Sequence, residues 1–95
     1  MAACRHPPRR LYGYDVRYSS RVGDGSFGGM NCYAARELGY SYPYPCSSVL
    51  VDRNQSCRKI EETILHEAFE ANAMKRLKLP YKKAHRLAIQ MEKRI

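Results

Sequence analysis

Between Leu11 and Ser19 apolar and polar positions alternate. Tyr12, Tyr14, Val16 and Tyr18 fall on one side and Gly13, Asp15 and Arg17 on the other, a period that suits a half-buried strand. The glycine-rich stretch GDGSFGG at 23–29 predicts a flexible loop, and its spacing matches neither a Walker nor a dinucleotide-binding motif. Asn31 is a good cap for a short helix over roughly residues 32–38, which Gly39 ends. YSYPYPCSS at 40–48 is expected to be extended, with Pro43 and Pro45 barring a central strand position. Ser48 to Val51 is a short apolar β-run closed by Asp52 and Arg53.

From here the period changes to that of a helix. Ser56 is an N-cap, Glu61 and Glu62 stand near the positive end of the helix dipole, and Lys75, Arg76 and Lys78 stand near the negative end. Pro80 stops this helix and suits the start of a second one running to about residue 94. The single turn at 78–79 predicts an antiparallel helical hairpin. On the second helix, Tyr81, Ala84, Ala88, Ile89, Met91 and Ile95 are expected to share one arc, opposite Lys82, Lys83, Arg86, Gln90, Lys93 and Arg94.

Composition sharpens the division. All six glycines and four of the five prolines precede residue 46, and seven of the eight tyrosines lie between 12 and 44, so strands and loops are expected first and helices after. The predicted fold is α+β, a Tyr-rich β/loop half packed on a C-terminal antiparallel helical hairpin. At 95 residues the chain makes one domain with one modest core, which excludes a multidomain enzyme or a large cofactor-binding fold. Within 1–95, residues 1–10 read as a basic flexible arm, 11–53 as the β/loop half and 56–94 as the hairpin. No stretch reaches the ~18 apolar residues of a membrane span, and MAACRHPPRR lacks the apolar run of a secretory signal, so no membrane association and a cytoplasmic location are expected.

Four cysteines, at 4, 32, 46 and 57, form no CxxC pair. Scattered in a chain without a secretory signal they read mainly as reduced thiols, with disulfides as the alternative. Cys4 with His6 is a weak metal-ligand pair. The net charge of +8 favours polyanionic partners, nucleic acid or an acidic protein. Lys75, Arg76, Lys82, Lys83 and Arg86 are the candidate phosphate contacts, set against a plain solvated helix face. The tyrosines could stack on bases, but a core without tryptophan needs them for packing.

The chemistry concentrates in ILHEAFEANAM and LPYKKAHRLAIQMEKRI. His66 and Glu70 stand one turn apart on one face, and His85 and Glu92 stand seven residues apart on the apolar face of the second helix. Folding the hairpin about 78–79 brings His66 near Glu92 and Glu70 near His85. Two imidazoles and two carboxylates converging between helices form a candidate site for a divalent transition metal, zinc first. The alternative is a pair of buried His–Glu hydrogen bonds that lock the hairpin without an ion. Glu67, next to His66, is placed to act as general base on a water held by the ion. A zinc-protease HExxH helix carries histidine at the fifth position. Here Glu70 stands there, which counts against a peptidase but not against metal binding.

VDR at 51–53, HEAFE at 66–70 and PYKKAH at 80–85, with Ala88 and Glu92, resemble a group of small phage- and prophage-encoded proteins of uncharacterised activity. Their shared pattern is an Asp-Arg after a strand, His-Glu-x-x-Glu on a helix, and Tyr-x-x-Ala-His-x-x-Ala-x-x-x-Glu on the next. The resemblance covers about residues 49–92 and implies a polar core of His66, Glu67, Glu70, His85 and Glu92, supported by Asp52, Arg53 and Tyr81. It implies a viral or mobile-element origin but no reaction. A more distant likeness is to minimal zincin-type metallopeptidases, in which a strand edge precedes a His-Glu helix. The expectation is a metal-dependent hydrolase-like protein of unknown substrate, with His66, Glu70, His85 and Glu92 as ligands and Glu67 as base. The alternative is a non-enzymatic basic protein that binds nucleic acid or an acidic partner.

Overall fold

The structure, a computed structural model, describes residues 4–93. The elements follow in the order β1 (Arg10–Leu11), β2 (Tyr14–Ser19), β3 (Gly29–Asn31), α1 (Cys32–Leu38), β4 (Ser48–Asp52), α2 (Cys57–Leu77) and α3 (Tyr81–Glu92). The fold is α+β, as expected. The sheet order is β1-β2-β4-β3, with β2 and β4 parallel and both outer pairs antiparallel. β4 sits at the centre and is buried on both faces because its side chains serve two layers. Val49 and Val51 pack with Tyr14 and Val16 against Ile60, Ile64, Ala68 and Ala71 of α2. Leu50 turns to the other side, towards Val22, Met30, Ala34 and Ala35, under a cover of Tyr40, Tyr42 and Tyr44. The tyrosines that flank the prolines are thus mainly packing residues.

Two parts of the β half differ from the expectation. The segment 11–19 is not one strand but a hairpin, because Leu11 pairs with Tyr14 and the two residues between them, Tyr12 and Gly13, have φ of 51° and 84°. Positive φ at both positions is what a type I′ turn requires; at Tyr12 it carries a strain of ~1 kcal/mol. The second difference is β3, which lies at the end of the stretch read as a loop. It forms because Gly29 lies flat against α2, where a Cβ would stand 2.7 Å from Thr63 Cγ2 and 2.8 Å from Glu67 Cγ. Asn31 then ends β3 and caps α1, accepting from the backbone N–H groups of Tyr33 and Ala34, and Gly39 closes that helix at a φ of 84°.

The cysteine expectation is overturned. Cys4 is bridged to Cys57 and Cys32 to Cys46, leaving no free thiol. The spacing rule missed them because both pairs join residues remote in sequence, 53 and 14 positions apart, that only the tertiary fold brings together. The first bridge ties the segment read as a flexible arm to the start of α2, and the Tyr18 hydroxyl donates to the Pro8 carbonyl beside it. It also removes Cys4 as a metal ligand with His6. Residues 1–3 of that arm, and the expected end of the second helix at about residue 94, lie outside the described residues.

Ser56 caps α2 through a bond from Lys59 N–H, and the helix stops at Lys78, which takes a left-handed φ of 57°. Pro80 precedes α3, whose first free amide, on Tyr81, is held by the Glu37 carboxylate of α1 at 2.7 Å. The two helices pack antiparallel, with Ala84 and Ala88 as the fully buried contacts of α3. Small residues there let the helix axes approach closely.

Candidate metal centre

The hairpin register sets the site. His66 and Glu70 lie one turn apart on α2, and His85 faces them from α3. His66 Nε2 and His85 Nδ1 are each 2.9 Å from Glu70 Oε2, and they are 3.1 Å from each other. The three atoms make a near-equilateral triangle. No placement of protons gives all three edges a straight hydrogen bond. If both nitrogens donate to the carboxylate, two N–H groups confront each other; if one nitrogen is bare, two lone pairs do. A cation near the centre of the triangle would instead meet three lone pairs. Tetrahedral ligands of zinc stand about 3.3 Å apart, so the triangle would need to open by only a few tenths of an ångström.

Glu92 occupies a different place from the one expected. Its Oε1 lies 2.6 Å from His66 Nδ1, on the side of the ring away from the triangle. It is therefore not placed as a fourth ligand. A carboxylate on the far nitrogen of a ligating histidine fixes the ring orientation and leaves the other nitrogen's lone pair free for a metal. Tyr81 stacks on the His85 ring with centroids 5.2 Å apart, holding the more exposed of the two imidazoles against the helix.

Below the triangle lies a carboxylate pair that the strand layer supports. The Asn31 amide donates to Glu67 Oε1 at 3.0 Å and to Glu70 Oε1 at 3.1 Å, one hydrogen for each. Asn31 is fully buried, and so, nearly, are Glu67 at 5% exposure and Glu70 at 1%. Buried carboxylates are tolerated because each is paired, and no buried side-chain nitrogen or oxygen lacks a partner among the described residues. Asn31 is the site residue that sequence reasoning missed. Its capping role was legible, but its second role depends on β3, whose glycine-rich sequence carries no strand signal.

The electrostatics follow from this packing. Burial works against a charged His66, but the hydrogen bond to Glu70 and the negative charges of Glu67, Glu70 and Glu92 outweigh it, raising the imidazole to about 9. Burial and the neighbouring Glu70 carboxylate push Glu67 well above the ordinary carboxylate range, against the opposing pull of His66 and the Asn31 hydrogen bond. Burial, then the charges of Glu70 and Glu67, lifts the Tyr81 hydroxyl to about 12.

His66, Glu67, Glu70, Tyr81, His85 and Glu92 line one cleft of about 380 Å³, which extends past Phe27, Gly28, Gln55 and Lys59. Asp52 and Arg53, expected to support the site, are not part of it. The Asp52 carboxylate accepts from Asn54 N–H in the turn after β4, and Arg53 is exposed beside Cys4 and Tyr18 on another surface. The Asp-Arg pair follows the strand as a turn signal, and nothing in the fold aims it at the hairpin. Lys75 and Arg76 line a second cleft with Tyr12, Tyr14 and Tyr33. Lys82, Lys83 and Arg86 are exposed on α3 and line neither cleft.

Comparison with protein-family models, with curated proteins and with solved structures finds no match to this chain. No helix among the described residues is long and apolar enough to cross a membrane. The three-residue group His66, Glu70 and His85 could hold a metal ion.

Proposed function

We propose that the protein is a metal-dependent hydrolase-like protein whose ion, zinc in the first instance, is held by His66, Glu70 and His85. The supporting observation is the triangle of two ring nitrogens and one carboxylate oxygen at 2.9–3.1 Å, which protons alone leave frustrated. Three protein ligands leave a further position for water or substrate, the pattern of catalytic rather than structural zinc sites. The ion would supply Lewis acidity and a nucleophile usable at neutral pH. Glu67 would serve as proton acceptor for water beside the ion, while Asn31 fixes both carboxylates, Glu92 orients His66, and Tyr81 backs His85. The resemblance to phage-encoded proteins is consistent with this reading and adds no substrate. The paired cysteines favour an oxidising compartment over the reducing cytoplasm.

A second reading keeps the same contacts without an ion, as buried hydrogen bonds that lock α2 to α3. A panel of ester, amide and phosphodiester substrates, offered to zinc-loaded protein, separates the two. Hydrolysis that falls about 10²–10⁴-fold in Glu67→Gln with zinc retained, and vanishes together with zinc in His66→Ala, supports the catalytic reading. Zinc that neither binds nor shifts the thermal midpoint supports the structural one.

A further inference from the structure

We propose a second ligand site, on the far side of α2 from the metal centre, that takes a nucleotide unit, its base stacked on Tyr12 and its phosphate held by Lys75 and Arg76. The inference does not rest on the metal reading. Asn72 and Lys75 lie about 200° and about 140° around the helix from Glu70 and face away from it and from His66, with Arg76 on their flank. They join Tyr12, Tyr14 and Tyr33 in a cleft of about 320 Å³.

Several independent features of this cleft point to the same ligand. Tyr12 stands at the tip of the β1–β2 turn with a positive φ that an asparagine or glycine would adopt more readily, and 51% of its surface is exposed. The other tyrosines of the cleft are wholly or partly packed, so an exposed ring on a strained backbone contributes nothing to the core. The floor is fixed, because the Tyr14 hydroxyl donates to Asn72 Oδ1 at 2.9 Å and ties the hairpin to α2. Lys75 and Arg76 form no salt bridge among the described residues, and no carboxylate lines the cleft. Arg36, outside the lining, lies 6.0 Å from the Tyr33 ring centroid. An aromatic platform beside unpaired cations matches a ligand that carries both a π-face and a negative charge, as in sites for single-stranded nucleic acid. An acidic peptide would use the cations and leave Tyr12 idle.

The test is fluorescence anisotropy with a short labelled oligothymidylate and chelator present, so that no metal-dependent cleavage intervenes. The comparators are an abasic oligomer of the same length and free thymidine monophosphate. Tyr12→Asn suits the turn, so it should keep or raise the melting temperature while weakening binding about tenfold; Tyr12→Phe should bind like the parent. Lys75→Gln with Arg76→Gln should weaken binding and flatten its salt dependence. Competition by the monophosphate at concentrations matching the oligomer assigns the site to free nucleotides, and its failure to compete assigns it to a strand. Three results would overturn the proposal: no binding of the oligothymidylate, equal binding of the abasic oligomer, or a folded Tyr12→Asn that binds undiminished.

Discussion

Asn31 and Glu70 belong to opposite layers of the fold, one at the end of an edge strand and the other in the middle of the longest helix, yet the Asn31 amide lies 3.1 Å from Glu70 Oε1. Through this contact the sheet holds the carboxylate that both histidines share. The same side chain caps α1 with its oxygen and reaches Glu67 with its nitrogen.

Asn31→Asp separates these duties. Aspartate caps a helix as well as asparagine does, but it replaces the shared donor with a third carboxylate facing Glu67 and Glu70. The expected loss is about 3 kcal/mol in urea denaturation. Crowding raises the folded-state carboxyl titrations above the unfolded value near 4, so the folded state holds more protons and stability falls as pH rises. The deficit should be larger at pH 8 than at pH 5. A deficit independent of pH would mean that the amide serves only as a spacer.

Glu92→Gln tests the orienting role. The metal-free His66 imidazole is raised to about 9, above its unfolded value near 6.5. Its charged pairing therefore contributes stability that is fully present below about pH 6.5 and is lost as pH climbs through about 9. Removing the Glu92 charge should move the His66 titration, followed by NMR, downward. It should also cost about 10–100-fold in zinc affinity. An unmoved titration would show that Glu92 is a bystander.

Gly29→Ala tests the close approach of β3 to α2. The added methyl would meet Thr63 and Glu67 below 3 Å, so the strand or the helix must shift, at a cost of about 1–3 kcal/mol. Thermal unfolding should show the loss, and zinc should restore less stability than in the parent. An unchanged melting temperature would contradict the packing of β3.

What was legible in the sequence was what local chemistry dictates. Ser56, Pro80 and the helical period fix α2 and α3, and a turn at 78–79 is enough to pair His66 with Glu92 and Glu70 with His85. Asn31 and Gly39 likewise bracket α1. The parts that were not legible depend on tertiary contact. Gly29–Asn31 is a strand because of what a missing Cβ allows, and the Tyr12–Gly13 turn breaks an alternation that reads as continuous. Both disulfides join segments with no local relation, and Asp52 and Arg53 are placed by a turn rather than by the site. Glu92 was expected near His66 as a fourth ligand; its place on the far ring nitrogen, outside the ligand triangle, needed coordinates.

The disulfides make their own prediction. Folded, oxidised protein should show no thiol reactive towards a chromogenic disulfide reagent. In the chain-entropy view, removing Cys4–Cys57, with its longer loop, should cost about 4 kcal/mol, and removing Cys32–Cys46 about 3 kcal/mol. Paired Cys→Ser variants measured in urea give both values. Four reactive thiols in the folded protein would contradict the pairing.

Calorimetric titration of metal-free protein with zinc near neutral pH probes the central claim most directly. One equivalent should bind with release of protons, because His66 must give up its Nε2 proton, and binding should be abolished by His66→Ala and by His85→Ala while both variants stay folded. Absence of binding to the wild-type chain, or undiminished binding in both alanine variants, would show that the triangle of His66, Glu70 and His85 is a hydrogen-bonded lock and not a metal centre.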